Sequence, residues 1–272
     1  MNFRILLLLG SLSAFGPMAI DFYLPSFPTL ALAFSTNVEH VQLTLSAYFI
    51  GLAGGQLLYG PLADRFGRRK PLLFGVLLFT VASVICSMAS SLEWLIAARF
   101  LQALGGCAGI VISRAVVRDL CDPLASAKAF SQLMLVMGVA PILAPAIGGM
   151  LLTQFGWQSI FICLALFGAL CGVAVALWLP ETLPQDAPRS ALPQAPSKYL
   201  EILKDRQFVI HALTGGLAIA GMFAYIAGSP FVFIELYQVP AQHYGWLFGS
   251  NAAGFILIAQ VNSRLLRRQG PA

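Results

Sequence analysis

The sequence predicts an all-α integral membrane protein that crosses the bilayer several times. Hydrophobic residues make up 58% of its 272 residues and charged residues only 10%, whereas soluble domains carry roughly 25% charged residues. Eight segments are apolar over about 20 residues or more, the length that crosses a hydrocarbon core roughly 30 Å thick. Basic residues lie between these segments in alternate loops. A soluble basic protein would scatter its charge over its surface, whereas here the basic residues are concentrated in alternate loops. The net charge of +5 therefore needs no nucleic acid partner to explain it.

The predicted spans follow one another closely, apart from one longer interruption. They cover residues 5–33, 42–63, 71–90, 93–117, 129–153, 158–179, 208–234 and 243–263. The interruption holds four prolines among polar residues and no apolar run long enough to span. We therefore predict a six-span N-terminal bundle over 1–180, a cytoplasmic linker over 181–206 and a partial C-terminal bundle of two spans over 207–272.

The Lys and Arg residues predict how the chain is oriented. All sixteen except Arg99 lie at the N-terminus, flank the junction of the fourth and fifth spans, or follow the second, sixth and eighth spans. The loops on the other side, near residues 37, 91, 154 and 238, carry acidic or neutral residues only. Basic loops are retained on the cytoplasmic side of a membrane. The N-terminus and the basic loops are therefore predicted to be cytoplasmic.

A weak internal repeat supports a duplicated architecture. Shifting the sequence by 203 residues aligns His40 with His243 and Arg65 with Arg268, and it preserves the basic loop after the second span. Two parallel halves related by an axis along the membrane normal are a known transporter design. A complete second half would contain six spans, whereas this one stops after two. We expect either a fragment of a longer protein or the product of a gene that has lost its end.

Asp21 and Arg99 are the two clear ionisable residues inside the predicted spans. A charge there is costly, so each should face the bundle interior or a wet cavity. Counting residues at about 1.5 Å each places the two at similar heights. We hypothesise that Asp21 exchanges protons or meets cationic substrate groups, and that Arg99 tunes its pKa through proximity and burial. The alternative is that Asp21 is simply hydrated near the outer interface while Arg99 snorkels outward.

Several aromatic residues lie within the spans and are candidates to line an apolar pocket for small molecules. The alternative is that they face lipid or a neighbouring helix, as most aromatic residues in spans do. The candidates are Phe22, Tyr23, Phe49, Phe223 and Tyr225.

None of the sequence motifs that indicate an enzyme is present. The chain contains no phosphate-binding glycine loop, nucleophile elbow or metal-ligand cluster. Its five cysteines include no C-x-x-C pair. We therefore predict no catalytic residue, no metal site and no bound cofactor.

The loop after the second span carries the most specific motif. Residues 60–71 read G-P-L-A-D-R-F-G-R-R-K-P. Glycines allow tight turns and close helix approach, and the mixed charges can lock helix ends together. An ordinary basic loop that contains glycine is the alternative. The string closely resembles the G-x-L-A-D-R-x-G-R-[RK]-[RK] signature of the major facilitator superfamily, with matching positions at Gly60, Asp64, Arg65, Gly67, Arg68 and Arg69.

Two further strings are similar to signatures of that superfamily. Residues 99–106, R-F-L-Q-A-L-G-G, resemble its R-x-x-Q-G signature in span four, with Ala103 in place of glycine. Residues 140–149, A-P-I-L-A-P-A-I-G-G, resemble the antiporter signature of span five, with alanine replacing two glycines. The matching positions there are Pro141, Pro145, Gly148 and Gly149.

Within the superfamily, residues 19–28 and 114–119 resemble the bicyclomycin and chloramphenicol resistance exporters. This resemblance implies a major facilitator fold of twelve spans, of which this chain would hold the six-helix N-terminal bundle and the first two helices of the second. It also implies export of small, largely apolar drugs from the bacterial inner membrane by alternating access, with protons as the coupling ion. Drugs and lipid are then the expected partners, and a monomer is the expected state. A facilitator or importer of another solute and an inactive remnant remain as alternatives.

The resemblance also assigns roles to two groups of residues. Asp119 would pair with Arg68 while Asp64 meets a helix end of the second half, and with neighbouring Arg118 they would form a latch. The alternative is an ordinary solvated helix end, since exposed ion pairs contribute little. In span five, the prolines would kink the helix and the glycines would allow close packing that seals the cavity.

Overall fold

The computed structural model describes residues 2–184, 195–240, 243–251, 253–254 and 257–258. This part of the chain consists of helices and connecting turns and contains no strand. Among the described residues, seven helices are long and apolar enough to cross a membrane. The prediction of an all-α membrane protein is therefore confirmed. Of the predicted eighth span, residues 243–251 are helical, and most of the remainder, with the basic cluster after it, lies outside the described residues.

The first span is a chain of short helical segments rather than one cylinder. It contains α1 (Phe3–Ser13), α2 (Phe15–Asp21), a 3₁₀ turn (Leu24–Ser26) and α3 (Phe27–Ala33). Pro17, Pro25 and Pro28 lie in the later segments, and proline cannot donate the backbone hydrogen bond that continues a helix. Sharp breaks of this kind are common at proline. Asp21 consequently lies at the end of a helical segment in the middle of a span.

Five long helices complete the N-terminal bundle. Three of them begin with a side-chain cap, because the side chains of Asn37, Ser91 and Asp122 each accept a bond from a backbone N–H three residues on. The five helices are α4 (Val38–Phe66), α5 (Arg69–Ser87), α6 (Leu92–Leu120), α7 (Pro123–Phe155) and α8 (Gln158–Trp178). Three of the five, α4, α6 and α7, extend past the predicted spans at both ends, whereas α5 ends before its predicted end and α8 stays within its predicted range.

Small residues let the central helices of this bundle approach closely. A Cβ at Gly51 of α4 would lie 2.5 Å from the carbonyl oxygen of Phe100. A Cβ at Gly105 of α6 would overlap the backbone of Phe79 in α5. In membranes, where apolar burial gives little drive to association, such backbone proximity provides packing contact. The ring of Phe79 also stacks on Phe15 with centroids 4.4 Å apart, which joins the broken first span to this core.

The linker contains a short helix, α9 (Ala195–Lys204), that was not predicted. The second half then begins with α10 (Arg206–Pro230) and a π-helical turn (Phe231–Leu236). The two halves meet in several places. Gln42 Nε2 donates to the carbonyl of Ala227 over 3.2 Å, and a Cβ at Gly245 would lie 2.5 Å from the backbone N of Ala146 in α7.

Candidate functional site

A cavity of about 210 Å³ lies where the broken first span faces the second half. The first half contributes Asp21, Leu52 and Met137 to its wall, and α10 contributes Met222 and Phe223. Of the lining residues that the structure describes, Asp21 alone carries a charge, and the rest are apolar. The cavity is therefore an apolar chamber with a single carboxylate, and it is shared between the two halves.

Asp21 is 3% exposed and lies at the C-terminal end of α2. Within the described residues its carboxylate forms no ion pair and no hydrogen bond. This burial contradicts the alternative that Asp21 is simply hydrated at the outer interface. A buried carboxylate without a protein partner is stabilised by binding a proton or a cationic group.

Arg99 is fully buried inside the N-terminal bundle, at 0% exposure. Its guanidinium carbon lies 4.3 Å from the ring centroid of Tyr48, 4.6 Å from that of Tyr23 and 5.8 Å from that of Phe161. These contacts form an aromatic cage in which the ring faces attract the cation. The burial excludes the alternative that Arg99 snorkels outward.

A short polar chain supports the aromatic cage. Arg99 Nη1 donates to Gln102 Oε1 over 2.5 Å, and Gln102 Nε2 donates to Ser83 Oγ over 2.7 Å. The Nε and Nη2 groups of Arg99 have no acceptor among the described residues. The glutamine of the R-x-x-Q string therefore holds the arginine in place.

Arg99 and Asp21, which were predicted to interact, are not in direct contact. No hydrogen bond or ion pair joins the two among the described residues, although counting residues placed them at similar heights. Tyr48 contacts Arg99 directly, because the guanidinium carbon of Arg99 lies 4.3 Å from the centroid of the Tyr48 ring. Tyr48 was not among the predicted site residues, and its only signal in the sequence was a tyrosine inside a span.

Only Phe223 of the five aromatic candidates lines the cavity. Tyr23 instead belongs to the Arg99 cage, and its hydroxyl lies 2.8 Å from Thr44 Oγ1. Phe49 packs edge-on against Phe223 with centroids 4.6 Å apart, so it supports the cavity wall from behind. Tyr225 stacks on Phe248 within the second half. Tyr23, Phe49 and Tyr225 thus do not line this cavity, because hydropathy does not fix which way a helix face points.

Phe22, the fifth candidate, meets span five through its backbone. A Cβ at Gly148 of α7 would overlap the Phe22 carbonyl, so this glycine lets α7 pack against the break in the first span. Pro145, one turn earlier, lies against the helix that contains Gly245. Pro141 lines the cavity, and Gly149 is buried. The antiporter-like string thus touches the first span, the cavity and the second half.

On the side that the basic loops predict to be cytoplasmic, Arg68 bridges two carboxylates. Its Nε donates to Asp119 Oδ2 over 2.9 Å and its Nη1 to Asp64 Oδ1 over 2.5 Å. Arg68 is buried, whereas the Asp64 side chain is 51% exposed. The pairing of Arg68 with Asp119 is thus present. Asp64 is bonded to Arg68 and meets no helix end of the second half among the described residues, which differs from the expected arrangement.

Glu181 joins this group, although its sequence pattern did not predict this role. Its carboxylate accepts hydrogen bonds from the backbone N–H groups of Arg68 over 2.7 Å and Arg69 over 3.2 Å, at the start of α5. Gly67, at φ 87°, is the residue that permits this, since a Cβ there would collide with the Glu181 carboxyl. We name Asp64, Arg68, Asp119 and Glu181 the cytoplasmic charge cluster. The signal that could have found Glu181 is an acidic residue directly after the sixth span.

The pKa of Glu181 reflects two opposing effects. Partial burial raises the pKa of its carboxyl. Bonds from the backbone N–H groups of Leu183, Arg68, Arg69 and Thr182 lower it by more, so the pKa lies below its usual value. Glu181 therefore holds the helix start as a carboxylate.

The other predicted gate residues lie around the cluster without joining it. Arg118 is exposed and, together with Gly60, lines a cavity of about 370 Å³ between α4 and α6, on the predicted cytoplasmic side. The Arg65 guanidinium lies 5.6 Å from the ring centroid of Phe66. Arg69 Nη2 donates to the carbonyl of Ala176 over 2.5 Å. Neither Arg65 nor Arg118 forms an ion pair with a described residue.

Comparison with known proteins identifies the family of this chain. Residues 7–272 match the Major Facilitator Superfamily. The chain belongs to this superfamily. Its members are transporters rather than enzymes, and the chain is a membrane-embedded protein with several transmembrane helices.

Related sequences carry the names of drug resistance proteins and transporters. The MFS-type transporter YdgK of Bacillus subtilis is 44% identical over 92% of this chain and 63% of its own length. A bicyclomycin resistance protein homolog of Haemophilus influenzae is 32% identical over 99% of this chain and 68% of its own length. Multidrug resistance protein D of Escherichia coli is 38% identical over 70% of this chain and 48% of its own length. The chain thus spans about half to two thirds of the length of these relatives.

Solved structures support the major facilitator fold. A bacterial homolog of the human lysosomal transporter Spinster, inward-facing and unoccupied, has a TM-score of 0.79 at 18% identity. The match covers 100% of this chain and 64% of that one. A D-xylose–proton symporter has a TM-score of 0.66 at 14% identity, over 97% of this chain and 70% of its own. The predicted fold is therefore confirmed, while identities this low say nothing of substrate.

Proposed function

We propose that this protein exports small, largely apolar drugs, such as chloramphenicol or bicyclomycin, from the bacterial inner membrane in exchange for protons. The observation that carries this proposal is the single carboxylate of Asp21 in an apolar cavity shared by both halves. An apolar wall suits an apolar solute, and a lone buried carboxylate suits an ion that binds and leaves. The N-terminus lies in the cytoplasm, in agreement with the distribution of basic residues.

Exchange of a drug for a proton requires that the binding of one disfavours the binding of the other to the same state of the transporter. Asp21 provides this competition because its carboxylate faces the chamber in which a drug would lie. A proton entering from outside neutralises Asp21, and a drug entering from the cytoplasm favours release of that proton. Alternating access then moves each solute in its own direction.

The cytoplasmic charge cluster serves as the latch of this cycle. Arg68 joins the end of α4 to the end of α6 through Asp64 and Asp119, and Glu181 joins the end of α8 to the start of α5. These bonds hold the four helix ends together. Charge-assisted bonds are strong but short in range, so a shift of a few ångströms between helix ends releases them.

Two relatives at 32% and 38% identity bear names that refer to bicyclomycin or multidrug resistance. This likeness and the antiporter-like string of α7 favour export over import. Binding of a drug in the cavity and coupling to protons are properties that we propose for this chain.

Growth of a drug-sensitive bacterium that produces this chain tests the proposal. We expect growth at chloramphenicol or bicyclomycin concentrations that stop cells without it, and we expect Asp21→Asn to remove the protection. Glu39→Gln is the matched control, because Glu39 is an exposed carboxylate at the start of α4. Unchanged sensitivity with the chain present in the inner membrane contradicts export of these drugs. Increased sensitivity would indicate import instead.

A further inference from the structure

Two prolines at the cytoplasmic ends of spans leave backbone carbonyl groups without their helical partners. Proline has no N–H, so Pro61 of α4 cannot donate to the carbonyl of Leu57, and Pro180 cannot donate to that of Ala176. A carbonyl left unpaired away from water is costly, and most so near a membrane. Each of these two positions therefore needs a donor from elsewhere.

Side chains from other elements fill both positions. Tyr199 Oη donates to the carbonyl of Leu57 over 2.8 Å, and Arg69 Nη2 donates to that of Ala176 over 2.5 Å. Arg69 does so from the neighbouring span. Tyr199 lies in α9, far along the chain, so its bond fastens the linker helix to span two.

The surroundings of Tyr199 fit a dedicated docking position. A Cβ at Gly60 would lie 4.0 Å from the Tyr199 hydroxyl, so this hydroxyl lies beside the glycine. Gly60 and Asp64 both line the cytoplasmic cavity, which places Tyr199 at its edge. Burial and then the Asp64 carboxylate raise the pKa of Tyr199. The hydroxyl therefore stays protonated and serves as a donor.

The linker helix continues almost directly into the second half. Lys204 ends α9 and Arg206 begins α10, and Asp205 between them caps α10 by accepting from the backbone N–H groups of Gln207 and Phe208. A contact that holds α9 against α4 therefore also holds the start of the second half against the first.

We propose that α9 is a clasp, in which Tyr199 fastens the linker to span two through the backbone acceptor that Pro61 leaves open. The clasp limits how far the two halves separate on the cytoplasmic side. The docking itself is independent of transport, and only its effect on the cycle rests on the proposed function.

Hydrogen exchange of the α9 backbone amides in the full 272-residue chain tests the clasp. Tyr199→Phe removes one hydroxyl, and we expect exchange in α9 about three- to tenfold faster. Pro61→Ala restores an N–H that takes the Leu57 carbonyl for itself, so it should speed exchange in α9 to a similar extent. The double variant should add little to either. Tyr237→Phe is the matched control, because Tyr237 is 68% exposed and its hydroxyl is unbonded within the described residues.

Three outcomes overturn the proposal. Unchanged exchange in Tyr199→Phe shows that α9 is not fastened by this bond. An effect of Tyr199→Phe without one of Pro61→Ala shows that the proline does not create the acceptor. Additive effects of the two changes show that they act separately. None of these readouts needs drug transport, so failure of the proposed function leaves this test intact.

Discussion

Arg99 shows how a single residue meets the constraints of a membrane interior. Its charge has no counterion among the described residues, and three aromatic rings with Gln102 surround it instead. A guanidinium suits this cage because it is planar and can stack while it donates. The motif that begins at Arg99 is therefore explained by packing inside the first half.

Arg99→Lys tests the cage. An ammonium keeps the charge but loses the flat stacking surface and the oriented bond to Gln102. We expect the free energy of unfolding to fall by about 1–2 kcal/mol, measured as thermal unfolding of the purified chain in detergent. Arg114→Lys is the matched control, because Arg114 is exposed on the same helix. A lysine variant as stable as that control would show that only a positive charge is needed.

Glu181 predicts a pH dependence of stability. Its pKa lies below the usual value of 4.5, so its contribution is fully present above that pH and is lost as the pH falls through the lower value of the folded protein. Glu181→Gln should therefore unfold at a lower temperature than the wild type at pH 7. The difference should narrow as the pH falls below 4.5. Unfolding temperatures measured across this range check the claim, and a difference that stays constant with pH would contradict it.

At the scale of elements, the contact between span one and span five depends on a missing side chain. Gly148→Ala would drive a Cβ into the carbonyl of Phe22. Overpacking of this kind costs roughly 1–3 kcal/mol, so we expect lower thermal stability and reduced protection against drugs. Gly54→Ala is the control, because nothing lies within 4 Å of a Cβ there. Equal effects of the two changes would show that close packing at Gly148 is unimportant.

Hydropathy predicted the elements well where length and apolar character decide them. The six spans of the first half and the span at α10 are present because an apolar stretch of about 20 residues has few other stable forms in lipid. The break after Asp21 was not predicted, since hydropathy does not record which backbone N–H groups are missing. The helix α9 was also not predicted, because it is short and polar and is held by a distant contact from Tyr199.

The site was predicted only in part, for a related reason. Sequence motifs located Arg68 and Asp119, which come together because both lie at helix ends on the same side of the bundle. Residue counting gave the heights of Asp21 and Arg99 but not the direction in which each helix face points. Tyr48 and Glu181 act through contacts between distant helices, and the weak sequence signals at these residues do not identify their partners.

At the scale of the whole molecule, the two halves meet around one chamber. The first half provides the carboxylate and most of the wall, and α10 provides Met222 and Phe223. The chain spans 63% of the length of its Bacillus relative. Exchange of drug for proton across this chamber is the central claim, and it requires that Asp21 give up its proton when a drug binds.

Proton release from the purified chain tests that claim most directly. Chloramphenicol is added to the protein in weakly buffered detergent solution, and the pH change is recorded for the wild type, Asp21→Asn and the control Glu39→Gln. We predict proton release from the wild type and from the control, and none from Asp21→Asn. Undiminished release from Asp21→Asn would contradict the account, because the coupling proton would then lie elsewhere.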